Sequence, residues 1–217
     1  MTSYDGERAP RPGVKVRPAL GGTRAVALLL AGGRENSFDP TRARHLAGLR
    51  MRPVATALRR TSARDGLAVW SVRYRYRGWN GAEMSPVEDA RWALEEVRRR
   101  HGEDIRVVVV GHSMGGRTGM RIGGDDNVVG VAALAPWLPE GEPVDHLAGQ
   151  RLLIAHGDLD KVTSPRLSRE FADRARAVGA DVDYVTVPGE THAMLRRWRT
   201  WHRLTTSFVV TALAPSR

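Results

Sequence analysis

The chain has 217 residues, which suffices for one domain with a substantial core. It carries a net charge of +10, nearly all of it from arginine, since Lys15 and Lys161 are the only lysines. It has no cysteine, which excludes disulfides and thiolate metal sites and suits a reducing compartment.

No apolar run is long enough to span a bilayer, and the polar start M-T-S-Y-D-G-E-R-A-P lacks an apolar signal core. A cytoplasmic protein without membrane attachment is therefore expected. Arginine is spread along the whole chain, and each run, such as Arg98–Arg100, fits the solvated face of a helix. Specific nucleic-acid binding is not expected, although weak, salt-sensitive adhesion to polyanions is.

Residues 1–12 are polar with two prolines and read as a flexible tail, leaving 13–217 as a single domain. Gly13–Leu20 alternates as an edge strand would, with Pro18 near its end. Ala25–Ala31 is continuously apolar and stops at Gly32–Gly33, a second and buried strand. Helical patterning follows from Thr41 to Arg64, with Leu46, Leu49, Val54, Ala57 and Leu58 as its apolar set. Pro53 is predicted to kink or split that helix. Leu67–Arg77 reads as a third strand, and Gly78–Gly81 as a turn. Ser85-Pro86-Val87-Glu88 predicts a helix start, with Ser85 as N-cap, and Gly102 ends that helix.

Ile105–Gly116, I-R-V-V-V-V-G-H-S-M-G-G, organises the rest. Val107–Val110 is too short and too β-branched for a helix, and apolar enough to be buried on both faces. A glycine-studded turn then carries Ser113, and Met114–Ile122 continues as a helix. Passing from strand to helix within one turn forces the middle residue into a strained conformation and lifts its side chain clear. The residues two before and two after approach closely, so Gly111 and Gly115 suit their places. A hydroxyl so placed lies at a helix N-terminus, where amides face a developing oxyanion.

Gly111-His112-Ser113-Met114-Gly115-Gly116 resembles the nucleophile elbow of the α/β-hydrolase family. The resemblance implies that the loop after the second strand supplies one oxyanion-hole amide, Gly33 or else Arg34, and that Met114 supplies the other.

Val128–Ala135 forms the next strand. The segment from Trp137 to Gln150 is short and irregular, with no room for a substantial cap. Trp137 either lines an acyl pocket or packs the loop. Arg151–Ala155 is another buried strand, followed by His156-Gly157-Asp158-Leu159-Asp160 and Ser164-Pro165. This is similar to the family's loop in which the second acid serves the histidine, which implies Asp160, with Asp158 as the alternative. A helix runs from Ser164 to Val178, and Val182–Val187 is the last strand. Pro188-Gly189-Glu190-Thr191-His192 resembles the family's histidine loop and implies His192 as the base. Ala193–Leu213 is a final helix, in which Trp198 either packs or edges the pocket.

Strands alternating with helices predict an α/β fold, a mostly parallel sheet with helices on both faces. Serine, aspartate and histidine follow three strand ends in the chain order of this fold. A hydroxyl needs a neutral imidazole to become a nucleophile, and a carboxylate fixes that imidazole's tautomer. The resemblance implies a serine hydrolase of small or medium carboxylic esters or thioesters, without cofactor or metal, as a monomer or homodimer. Two alternatives follow from the arginines: hydrolysis of anionic thioesters of the acyl-CoA type, and a non-catalytic polyanion-binding module on the same fold. His112 and His156 read as supports of the elbow and acid loop.

Overall fold

The four consecutive valines lie at the centre of a seven-stranded sheet in the computed structural model, which describes residues 10–42 and 45–214. Of the predicted tail, residues 1–9 lie outside the described residues. The strands are β1 (Gly13–Arg17), β2 (Ala25–Leu30), β3 (Leu67–Arg73), β4 (Arg106–His112), β5 (Val128–Leu134), β6 (Arg151–Gly157) and β7 (Asp181–Val187). Their order is β1-β3-β2-β4-β5-β6-β7. All neighbours are parallel except the edge strand β1, which runs antiparallel to β3.

Five helices cover the sheet: α1 (Leu46–Ser62), α2 (Ser85–His101), α3 (Met114–Arg121), α4 (Pro165–Ala177) and α5 (Trp198–Leu213). Val107 and Val109 join the core shared with α2, α3 and α4, while Val108 and Val110 join the core shared with α1 and α5. Both faces are therefore dry, which is why this strand reads as an unbroken apolar run. No helix among the described residues is long and apolar enough to cross a membrane.

Several element boundaries differ from the sequence expectation. Helix α1 begins at Leu46, because the chain before it pairs with the loop after β3: Thr41 N–H donates to Arg75 O, and Arg34 N–H to Arg77 O. That pairing also ends β3 at Arg73 instead of Arg77. Helix α1 runs on through Pro53, since Met51, Val54, Ala55 and Leu58 are buried on both sides of it and hold the helix against the sheet. The missing amide removes one hydrogen bond, which this packing outweighs. Ser85 is the first residue of α2 and does not cap it; its Oγ accepts from Asn80 Nδ2 instead. By contrast, Ser164, read as the first residue of the next helix, caps α4, accepting from Leu167 N–H.

The segment between β5 and β6 holds only a three-residue turn of helix, Asp145–Leu147, so nothing resembling a cap domain covers the sheet's carboxyl edge. A buried carboxylate ties this segment down. Glu142 accepts from Arg117 Nε at 2.7 Å and from Arg121 Nε, both on α3, and its backbone carbonyl accepts from Arg174 on α4. The Arg117 guanidinium lies over the rings of Trp79, 3.8 Å from the centroid, and Trp137, 4.6 Å from it. Glu142→Gln leaves Arg117 buried without its anion and should cost about 3–5 kcal/mol of stability, read from urea unfolding. The pair Glu142→Leu with Arg117→Met should recover much of that loss. A single variant as stable as the parent would remove this role for the cluster.

Candidate active site

Ser113 stands between β4 and α3 with φ 57° and ψ −120°, a conformation that L residues rarely adopt. The turn is tight enough to exclude side chains at its flanks. A Cβ on Gly111 would lie 2.1 Å from Gly115 O, and one on Gly115 would lie 2.2 Å from Leu30 O. These contacts are the physical reason for glycine two positions either side of the serine.

Loops from three strand ends converge here at the carboxyl edge of the parallel sheet. The acid loop follows β6, the histidine loop follows β7, and the elbow follows β4. His192 Nε2 lies 3.1 Å from Ser113 Oγ. His192 Nδ1 lies 2.8 Å from Asp160 Oδ2. A carboxylate only accepts, so the proton between them sits on Nδ1, and Nε2 is left to accept from the serine hydroxyl. Of the two acids, Asp160 meets His192. The exposed Asp158 instead accepts from Gly189 N–H at 2.7 Å and holds the start of the histidine loop.

Asp160 is enclosed by donors. Its Oδ1 accepts from the amides of Val162 at 2.8 Å and Thr163 at 3.0 Å. Its Oδ2 also faces His156 Nε2 at 3.1 Å and Thr163 Oγ1 at 2.9 Å. Burial pushes the Asp160 carboxyl up, but the hydrogen bonds from His156, His192 and the two amides outweigh it and hold it far below the usual carboxylate range. The fully buried His156 is itself oriented by Ser168 Oγ, 2.9 Å from its Nδ1.

His112 supports the other side of the site. Its Nε2–H donates to His192 O at 3.1 Å, and the two rings lie 4.8 Å apart. Burial, then the nearby His192, pushes the His112 ring down to about 3. It therefore stays neutral beside a ring that must accept a proton, and adds no opposing charge.

Gly32 and Gly33 follow β2 against the elbow. A Cβ on Gly32 would fall 3.2 Å from Ser113 Cβ, and one on Gly33 would fall 2.4 Å from Met114 Cε. Arg34 N–H is already committed to Arg77 O at 2.8 Å, so between the two alternatives Gly33 keeps the available amide. Trp137 N–H donates to Ser113 O at 3.1 Å while its ring packs on Trp79, centroids 6.0 Å apart. Trp198 lies half exposed on His202, centroids 5.2 Å apart.

Two residues of the site carried no signal of their own in the sequence. Thr163 stood inside the acid-loop motif as a spacer, yet its Oγ1 lies 3.2 Å from both His192 Nδ1 and His156 Nε2. Glu190 is fully buried and accepts from Thr191 N–H, Arg197 N–H and Trp201 Nε1–H. It is why α5 begins at Trp198 and not at Ala193: its carboxylate organises residues 191–197 as a loop and receives the N–H of the N-cap residue Arg197. Burial raises this carboxyl, but the Arg197 and Thr191 amides and the Trp201 indole outweigh it and keep it low.

An elbow serine on such a sheet edge, with acid and histidine loops beside it, defines the α/β-hydrolase class. The model of the alpha/beta hydrolase family matches residues 27–215, and the chain belongs to that family. No curated protein matches it by sequence. Among solved structures, it is similar to an alpha-beta serine hydrolase homologue from Coxiella burnetii, with a TM-score of 0.69, 18% identity and 92% of each chain covered. It is also similar to Est1E from Butyrivibrio proteoclasticus, with a TM-score of 0.70, 13% identity and 98% of each chain covered. A third is a thermophilic esterase of the Planctomycetes species Thermogutta terrifontis, Est2 with butyrate bound, with a TM-score of 0.71, 17% identity, and 95% of this chain and 92% of that one covered. At these identities the likeness is one of fold.

Proposed function

We propose that the protein is a serine hydrolase of small or medium carboxylic esters or thioesters, working through an acyl-enzyme on Ser113. The observation that carries this is the unbroken chain from Ser113 Oγ through His192 to Asp160, at 3.1 and 2.8 Å.

In this reading Ser113 Oγ attacks the carbonyl carbon as His192 Nε2 takes its proton. Asp160 holds the ring with Nε2 toward the serine and stabilises the imidazolium. The carbonyl oxygen becomes an oxyanion facing the amides of Gly33 and Met114, the latter at the N-terminus of α3. His192 then protonates the departing alkoxide or thiolate, and water repeats the sequence to release the acid. The family and its esterase-named structural relatives support a hydrolase; the open carboxyl edge supports substrates that need no deep tunnel.

The test is a panel of p-nitrophenyl esters and simple thioesters of two to eight acyl carbons, run with a fluorophosphonate inhibitor. Hydrolysis, its loss on labelling, and a single labelled peptide containing Ser113 are expected. Turnover that persists in fully labelled protein would sink the proposal.

A further inference from the structure

The loop bearing Gly32 and Gly33 has a second face. On that side it borders a hollow of about 640 Å³, enclosed by the first turn of α1 and the outer strands β1 and β3. Lys15 and Arg17 enter it from β1, Arg34 from the loop after β2, Arg42 and Arg52 from the start and body of α1's segment, and Arg73 from the end of β3. None of these six has a carboxylate partner among the described residues. A seventh cation, Arg77, reaches the exposed Asp39 at 3.7 Å. Among the described residues no aspartate or glutamate lines the hollow, and the first turn of α1 carries no acid. Thr41 also lines it, with a buried Oγ1 that finds no hydrogen-bond partner among the described residues.

Elsewhere several arginines are matched. Arg75 pairs with Asp89, Arg117 and Arg121 with Glu142, and Arg99 and Arg100 with Glu96. Here, by contrast, these six cations line one concave place with no carboxylate among its described lining. Like charges gathered around a hollow repel one another and focus a positive potential inside it, which an anion relieves. Guanidinium forks suit phosphate and carboxylate oxygens in pairs. Gly32 links the hollow to the elbow: it lines the hollow, and a Cβ added to it would fall 3.2 Å from Ser113 Cβ.

We infer that this hollow is an anion subsite, and that the substrate carries a phosphate or carboxylate on one arm of its ester or thioester. The inference rests on Ser113 being the nucleophile. It goes further in naming the charge of the substrate and where that charge is held.

The experiment uses two matched pairs. Butanoyl-CoA and S-butanoyl-N-acetylcysteamine share the acyl group and the thioester, but only the first has phosphates, on its leaving arm. The mono-p-nitrophenyl ester of glutaric acid and p-nitrophenyl butanoate share the leaving group, but only the first has an anion on its acyl arm. In at least one pair the anionic member should be favoured in kcat/KM by about tenfold or more at low salt, and the advantage should shrink as sodium chloride is added. The pair that responds identifies the arm. Arg17→Gln with Arg73→Gln should cut the anionic-to-neutral ratio about tenfold. Arg99→Gln, on the opposite face of the sheet, should leave that ratio as it was.

Neutral substrates hydrolysed as well as their anionic partners would overturn the subsite while leaving the hydrolase reading intact. A calorimetric titration of inorganic pyrophosphate into the Ser113→Ala protein reads the subsite without turnover. Binding that the arginine pair of substitutions weakens supports it, and no binding at low salt overturns it, whatever the fate of Ser113.

Discussion

Ser113→Ala should lower kcat on an aryl ester by about a millionfold, the scale seen when a serine nucleophile is removed from such a site. The substitution is clean on structural grounds. The Ser113 side chain caps nothing, and its one side-chain hydrogen bond among the described residues is with His192. Alanine meets the same backbone strain at φ 57° that serine does. Thermal unfolding should therefore shift little while the chemistry disappears. In the proposed mechanism what remains belongs to the amides of Gly33 and Met114, which would still polarise a bound carbonyl toward water. A variant that keeps more than about a hundredth of the parent rate, with its fold intact, would show that some other group is the nucleophile.

The second large effect is expected from Asp160→Asn, a loss of about 10⁴ in kcat. The carboxylate accepts on both oxygens: the Val162 and Thr163 amides at one, two imidazole N–H groups at the other. An amide cannot satisfy both sides. With its oxygen toward the backbone, its NH₂ opposes the N–H groups of His156 and His192. His192 must then turn its proton to Nε2, where it can no longer accept from Ser113. With the amide reversed, the backbone donors lose their partner instead, at a cost of about 1–3 kcal/mol.

The pH dependence follows from the same contacts. The folded carboxyl is held below its unfolded value, so its contribution to stability is complete above the usual carboxylate range. That contribution is lost progressively as pH falls toward the folded value. Asp160→Asn should therefore be less stable at neutral pH and show a flatter acid limb in thermal melts taken from pH 7 to pH 3. A drop in rate below tenfold would take Asp160 out of the mechanism.

The elements legible in the sequence were those whose cause is local or periodic. Val107–Val110 announced a strand buried on both faces, and it is the central strand. Gly111 and Gly115 announced a turn without room for Cβ, and none fits. Ser164-Pro165 announced a helix start, with the cap formed by the hydroxyl itself. The elements misjudged were those where a distant partner intervenes. Thr41 begins the helical patterning but pairs with the loop after β3, and residues 193–197 have that patterning too but gather around Glu190. Pro53 should disrupt a helix and does not, because packing on the sheet decides there.

For the candidate site, the resemblance to the family's motifs implied Ser113, Asp160 and His192, and the fold brings these three to hydrogen-bonding distance because strand ends share one edge. Chain order could not supply Thr163 and Glu190, whose side-chain hydrogen bonds reach up to 29 positions along the chain. Nor could it separate Gly33 from Arg34, which differ only in whether an amide is already engaged. The charge excess was plain in the composition, but its meaning was not. Net charge is a sum over residues, whereas a potential depends on where they stand. Only the fold gathers Lys15, Arg17, Arg34 and Arg73, from segments far apart in the chain, around one hollow with no acid among its described lining.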